Sequence, residues 1–84
     1  MKRVELIASQ LTDKEVLHDV LARELELPEW YGRNLDALHD CLTELTDLEL
    51  VLIGWPDEGY LARVRRVIVD AVWENDHIAL KIID

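Results

Sequence analysis

One cysteine, two prolines, three glycines and half as many basic as acidic side chains mark what this chain does without. Cys41 alone cannot form an internal disulfide, and no Cys-x-x-Cys pair is present, so a reducing cytoplasm is the expected setting. No stretch approaches the roughly 20 apolar residues of a membrane span. The opening Met1-Lys2-Arg3-Val4-Glu5-Leu6 lacks the uninterrupted apolar run of a secretion signal, so no membrane association is expected. Gly54 and Gly59 fit no phosphate-cradling loop. Internal repeats and low-complexity tracts are absent. With nine basic against eighteen acidic residues, the net charge of −9 works against a nucleic-acid partner.

What is present suits one soluble globular domain spanning residues 1–84: half the residues are apolar and a third are charged. Residues 3–8 alternate around Val4, Leu6 and Ala8 and predict a first strand. Thr12-Asp13-Lys14-Glu15 has the form of a capping box with Thr12 as N-cap, opening a helix over residues 13–25 whose stripe is Val16, Leu17, Val20, Leu21 and Leu25. Pro28 and Gly32 bracket a loop. Asn34 then caps a second helix carrying Leu35, Leu38, Leu42 and Leu45 and running to about residue 46. Residues 48–53 read as a strand buried on both faces. Pro56-Asp57-Glu58 starts a third helix, with Leu61, Val64, Ile68, Ala71 and Val72 on its core stripe, and Asn75-Asp76 ends it. Residues 78–83 close as a strand. Short apolar strands separated by helices imply an α/β fold, a three-stranded parallel sheet packed against helices.

Charge is concentrated. Residues 24–49 hold eight acids against Arg33 alone, so seven of the nine net negative charges lie in under a third of the chain. With the leucines inward, Asp36, His39, Asp40, Thr43 and Asp47 face outward on the second helix. Asp36 is stabilised by the positive end of that helix. Asp40, one turn further, sits beside another carboxylate without that compensation and invites a cation supplied by a partner. Trp30 and Tyr31, between a proline and a glycine, have the amphipathic bulk of interface anchors, although either ring is also suited to capping the small core. Cys41 lies on the leucine side and reads as inert. His18 and His77 sit on other elements without ligand-like spacing. Arg63 and Arg66 read as a solvated helix face, and Trp55 and Trp73 as packing at the edge of the core.

The run Leu-Pro-Glu-Trp-Tyr-Gly-Arg-Asn-Leu-Asp-Ala-Leu-His-Asp-Cys-Leu-Thr, residues 27–43, closely resembles the barstar family of intracellular ribonuclease inhibitors, and the likeness extends more weakly over the whole chain. The resemblance implies a three-stranded parallel sheet, no catalytic activity, no cofactor, and a barnase-like or other basic ribonuclease as partner, the free protein being a monomer. It implies that Asp40 enters the nuclease active site in place of a substrate phosphate, with Asp36 a second acid on the enzyme's basic surface. Trp30 covers the catalytic histidine in this reading, and Gly32, Asn34 and Thr43 make rim contacts. His39 stands where the family has a tryptophan, and Leu45 replaces another aromatic. The family's interfacial glutamate on the last helix aligns with Ala71, beside Asp70, which is the acid available there. Two readings of another kind stay open: an acidic scaffold or regulatory module for a basic protein other than a nuclease, and a small metal-dependent enzyme using Asp36, His39 and Asp40.

Overall fold

The computed structural model describes residues 1–84. The elements follow as β1 (Lys2–Ile7), a 3-10 turn (Ala8–Gln10), α1 (Lys14–Glu24), α2 (Leu35–Leu42), β2 (Leu48–Ile53), α3 (Gly59–Trp73) and β3 (Ile78–Ile83). The sheet is three-stranded and wholly parallel in the order β1-β2-β3, with Lys2 opposite Leu48 and Leu48 opposite Ile78. The α/β fold with a three-stranded parallel sheet packed against helices is therefore the observed one.

Strand order explains where the core sits. Parallel strands joined through helices connect with a right-handed crossover. When the order steps β1, β2, β3 in one direction, both connections pass over the same face. Period-2 alternation shows it: Val4, Leu6, Leu48, Leu50, Leu52 and Ile78 share one face and are buried in a common core. That core is completed by Leu17, Leu21 and Leu25 of the first helical segment, Leu38, Cys41 and Leu42 of α2, and Val64, Ile68 and Ala71 of α3. The opposite face carries Arg3, Glu5, Glu49 and Lys81, with Arg3 bonded to Glu5 at 2.9 Å and Glu49 at 3.3 Å. Val51 on this face is fully buried, yet it lies outside the core and between Glu5 and Lys81 in register. The strand is thus buried on both faces as expected, Val51 being covered on the second face by neighbouring side chains with their aliphatic stems.

Local chemistry sets the helix boundaries and moves several from where the sequence placed them. Asp13, not Thr12, caps α1, its carboxylate accepting from Glu15 N at 2.8 Å and Val16 N at 3.2 Å. A carboxylate at the positive end of a helix gains charge stabilisation that a hydroxyl lacks. Val16, placed on the core stripe by spacing, is exposed. The helix closes in a Schellman motif: Leu27 N donates to Ala22 O (2.9 Å), Glu26 N to Arg23 O (3.4 Å), and Glu26 takes φ +52 at the position glycine usually fills. α2 ends at Leu42, not near residue 46, because the chain tightens into i→i+3 bonds, Glu44 N to Cys41 O and Leu45 N to Leu42 O. Asn75, buried at the end of α3, then donates Nδ2 to both Leu42 O and Leu45 O at 2.8 Å, while its Oδ1 accepts from His77 N at 3.0 Å. α3 starts at Gly59, after Pro56-Asp57-Glu58.

Trp55 packs into the core and donates Nε1 to Leu6 O at 2.8 Å. Trp73 does not pack as expected: it is 87% exposed, above a groove of about 370 Å³ shared with Val69, Val72, Asp76 and Leu80. Trp73 follows Ala71 by two residues, about 200° round the helix, and so turns away from the core face of Val64, Ile68 and Ala71. No helix is long and apolar enough to cross a membrane.

Candidate docking face

Asn34 caps α2 as the sequence predicts, Oδ1 accepting from Ala37 N at 2.8 Å, while its Nδ2 reaches back to Gly32 O at 3.3 Å. A Cβ on Gly32 would lie 2.8 Å from that Nδ2, so glycine here is what lets the cap close over the loop. Arg33, between them, sits in the left-handed region at φ +55 and forms an ion pair with Asp19 of α1. The loop before α2 is thus tied at both ends to helices. Beyond the cap, Asp36 and Asp40 point outward and are exposed, one turn apart.

The three helices run the same way. The N-terminal residues Lys14 of α1, Asn34 to Asp36 at the start of α2, and Tyr60 with Arg63 of α3 line one shallow groove of about 350 Å³. At the opposite end, the last carbonyls of α2 are held by Asn75 and His39 meets Glu74, both just beyond α3. Lys14 Nζ and the Arg63 guanidinium lie 4.9 and 5.9 Å from the Tyr60 ring centre, beside Asp36.

Trp30 stands 59% exposed at the tip of the loop. Tyr31 turns the other way and is 6% exposed, so it offers no face to a partner and acts as the loop's anchor. Its hydroxyl bonds Nδ1 of His18, itself buried at 2% exposure, and Nε2 of the same ring meets the Tyr60 hydroxyl at 2.8 Å. Burial lowers the His18 pKa, with Lys14 and Arg33 adding to the effect, and burial raises that of the Tyr31 phenol. His39 is half-buried; its Nε2 lies 2.7 Å from Glu74 and its Nδ1 3.9 Å from Asp40. Thr43 donates Oγ1 to the Asp40 carbonyl at 2.8 Å, spending its hydroxyl proton on α2 itself. Asp70 is exposed one turn before Glu74, on the side of α3 that also carries Tyr60, Arg63 and Val67. Asp36, His39 and Asp40 do not converge as metal ligands. The Cys41 thiol is buried and its pKa is raised by that burial, with Glu44 and Asp40 adding to it.

Sequence reasoning missed the roles of four residues, two of which it named: His18 only as lacking ligand-like spacing, and Asn75 only as part of the stop of α3. Histidine at position 18, next to Leu17 on a buried stripe, was itself a signal, since a buried imidazole needs partners for both ring nitrogens. Tyr60, Glu74 and Asn75 gave none, because each acts on a residue 30 or more positions away.

A parallel α/β domain with its helices on one face, presenting an acidic capped helix beside a tethered aromatic loop, defines a module suited to a basic surface. The chain belongs to the barstar family: the family described as Barstar (barnase inhibitor) matches residues 1–82. It is also 47% identical over 53 residues to the protein named "Putative ribonuclease inhibitor YrdF" of Bacillus subtilis (strain 168), a stretch covering 63% of this chain and 58% of that relative.

Proposed function

We propose that this chain is an intracellular inhibitor of a basic, barnase-like ribonuclease, acting by occlusion and performing no chemistry itself. The observation that carries this reading is the exposed Asp40 carboxylate on a helix capped at one end by Asn34 and held at the other by Asn75. A carboxylate on such a rigid mount accepts charge-assisted hydrogen bonds from arginine and takes the place of a substrate phosphate. Asp36 adds a second acid, and Trp30 supplies apolar contact at the tip of the loop. Gly32, Asn34 and Thr43 hold the local shape, while His39 and Asp70 extend the face toward α3. His39 stands in place of a tryptophan and is the residue first expected to set which nuclease is recognised. Family membership and the name of the Bacillus subtilis relative support the reading.

The test is a titration of the protein into a purified barnase-like ribonuclease while RNA cleavage is followed, with Asp40→Ala in parallel. Stoichiometric inhibition is expected, and the variant should weaken the complex by at least about 2 kcal/mol, the scale of an interface hot spot. Weakening by less than about 1 kcal/mol removes Asp40 from the centre of the mechanism. Binding that survives the variant and resists competition by RNA would instead favour the acidic scaffold.

A further inference from the structure

We infer that His18 is the positioning residue of the docking loop and that its protonation state sets whether the loop is held. This rests on the reading of residues 30–34 as part of the docking face.

The geometry joins three elements through one ring. His18 is on α1, Tyr31 is in the loop next to Trp30, and Tyr60 is in the first turn of α3. A neutral imidazole has one donor and one acceptor, so one tyrosine must donate to it and the other accept. The two hydroxyls differ in what else they can reach. Tyr31 is buried, and His18 Nδ1 is the one hydrogen-bond partner its hydroxyl has. Tyr60 is half-buried and lines the open groove with Lys14 and Arg63. Were Nδ1 protonated, it would donate to the Tyr31 oxygen and leave the phenolic hydrogen buried without an acceptor. A buried hydroxyl hydrogen left without an acceptor carries the full cost of its lost hydration, whereas Tyr60 can turn its hydrogen toward the open groove. The Tyr31 hydroxyl therefore donates to Nδ1, and the ring carries its proton on Nε2, which donates to Tyr60. The Tyr60 hydrogen is left free to turn toward water.

Adding a proton breaks this arrangement at the Tyr31 side. Nδ1 becomes a donor facing a donor, and the phenol must rotate its hydrogen into buried surroundings, at the cost of an unmade bond. The charges around the ring oppose the change as well. Lys14 and Arg33 both disfavour a third cation, and Arg63 lies across Tyr60. The neighbouring acids are committed elsewhere: Asp13 to the α1 cap, and Asp19 to Arg33. Glu15, at the mouth of the cavity over His18, is the one carboxylate there with neither a hydrogen bond nor an ion pair. Releasing Tyr31 frees Trp30, its neighbour in the chain, so acidification unlatches the loop while the core stays folded.

The test uses the whole chain with 5-fluorotryptophan in place of tryptophan and nitrogen-15 in its histidines, followed by NMR from pH 8 to 5. Trp30→Phe assigns the Trp30 fluorine signal. The expected results are an Nε2–H tautomer for His18 at pH 8, and a Trp30 signal that moves with the His18 titration while those of Trp55 and Trp73 do not. In Tyr31→Phe the Trp30 signal should sit near its acid position at every pH. An Nδ1–H tautomer, a Trp30 signal indifferent to His18, or global unfolding with His18 still neutral each overturns the inference. These readings need no partner, so they stand or fall apart from the inhibitor reading. Once a partner is in hand, affinity should fall on acidification by up to about tenfold per pH unit, the limit for one linked proton, and His18→Gln should lose that component. An identical pH dependence in wild type and His18→Gln overturns the coupling to docking.

Discussion

Removing the side-chain amide of Asn75 should cost this small domain a large share of its stability. Asn75 is 5% exposed and spends both functions of its amide: Nδ2 on the carbonyls of Leu42 and Leu45, Oδ1 on His77 N. In Asn75→Ala the half-buried Leu45 carbonyl has no other donor, a loss of about 1–3 kcal/mol. Leu42 O keeps only a 3.4 Å bond from Leu45 N, so its share is nearer the ordinary net value of about 0.5–1.5 kcal/mol. The two together give about 2–4 kcal/mol. At roughly 4–8 °C per kcal/mol for a domain this size, even the lower figure lowers Tm by about 8–16 °C. Urea unfolding monitored by circular dichroism is the assay, the midpoint shifting at constant slope. Asn75→Asp is the sharper companion, since it keeps an acceptor for His77 N but aims a carboxylate at two carbonyls, and should be at least as damaging as alanine. A loss below about 1 kcal/mol for alanine, or an aspartate as stable as the wild type, would refute the role given to this amide.

Three further outcomes follow from single features. Asp13→Ala should cost about 1 kcal/mol by leaving Glu15 N and Val16 N uncapped, whereas Thr12→Ala should fall within about 0.5 kcal/mol of wild type; urea midpoints separate the two. Glu26→Gly should stabilise by about 0.5–1 kcal/mol, because glycine fits φ +52 at the end of α1 and the exposed pair with Lys2 contributes little; no gain in midpoint would count against strain there. His18 binds a proton more weakly folded than unfolded, so its contribution is full above its ordinary value of about 6.5 and is lost as pH falls through the lower folded value. Midpoints measured from pH 8 to 5 should therefore decline in wild type, and the decline should shrink in His18→Gln.

Where short-range chemistry decides an element, the sequence was a good guide. The bounds of β2 and β3 were legible because runs of leucine, isoleucine and valine between turn residues leave few other solutions. The Asn34 cap was legible because asparagine before a leucine repeat is a local signal. The choice between Thr12 and Asp13 was not, since both are good caps and only the backbone at that turn separates them. The end of α2 depends on Asn75, some 30 residues away, which no periodicity contains. Trp73 was misplaced because its apolarity indicated burial, while its position on α3 lies off the core face set by Val64, Ile68 and Ala71. Of the docking face, the outward acids were readable from the leucine stripe. The tether from Arg33 to Asp19 and the His18 link to two tyrosines belong to the fold and not to any segment of it.

Eight of the chain's acids lie between residues 24 and 49, and Asp36, Asp40 and Glu44, four residues apart along α2 and the turn after it, are all exposed. The charge of the molecule is thus lopsided as well as negative overall. In the field of a basic surface such a body experiences a torque as well as a pull, and turns its Asp36–Asp40 face forward while still a Debye length away, about 8–10 Å at physiological salt. A larger fraction of collisions then begins in the docking orientation, and added salt should slow association by scrambling that alignment before it loosens any contact.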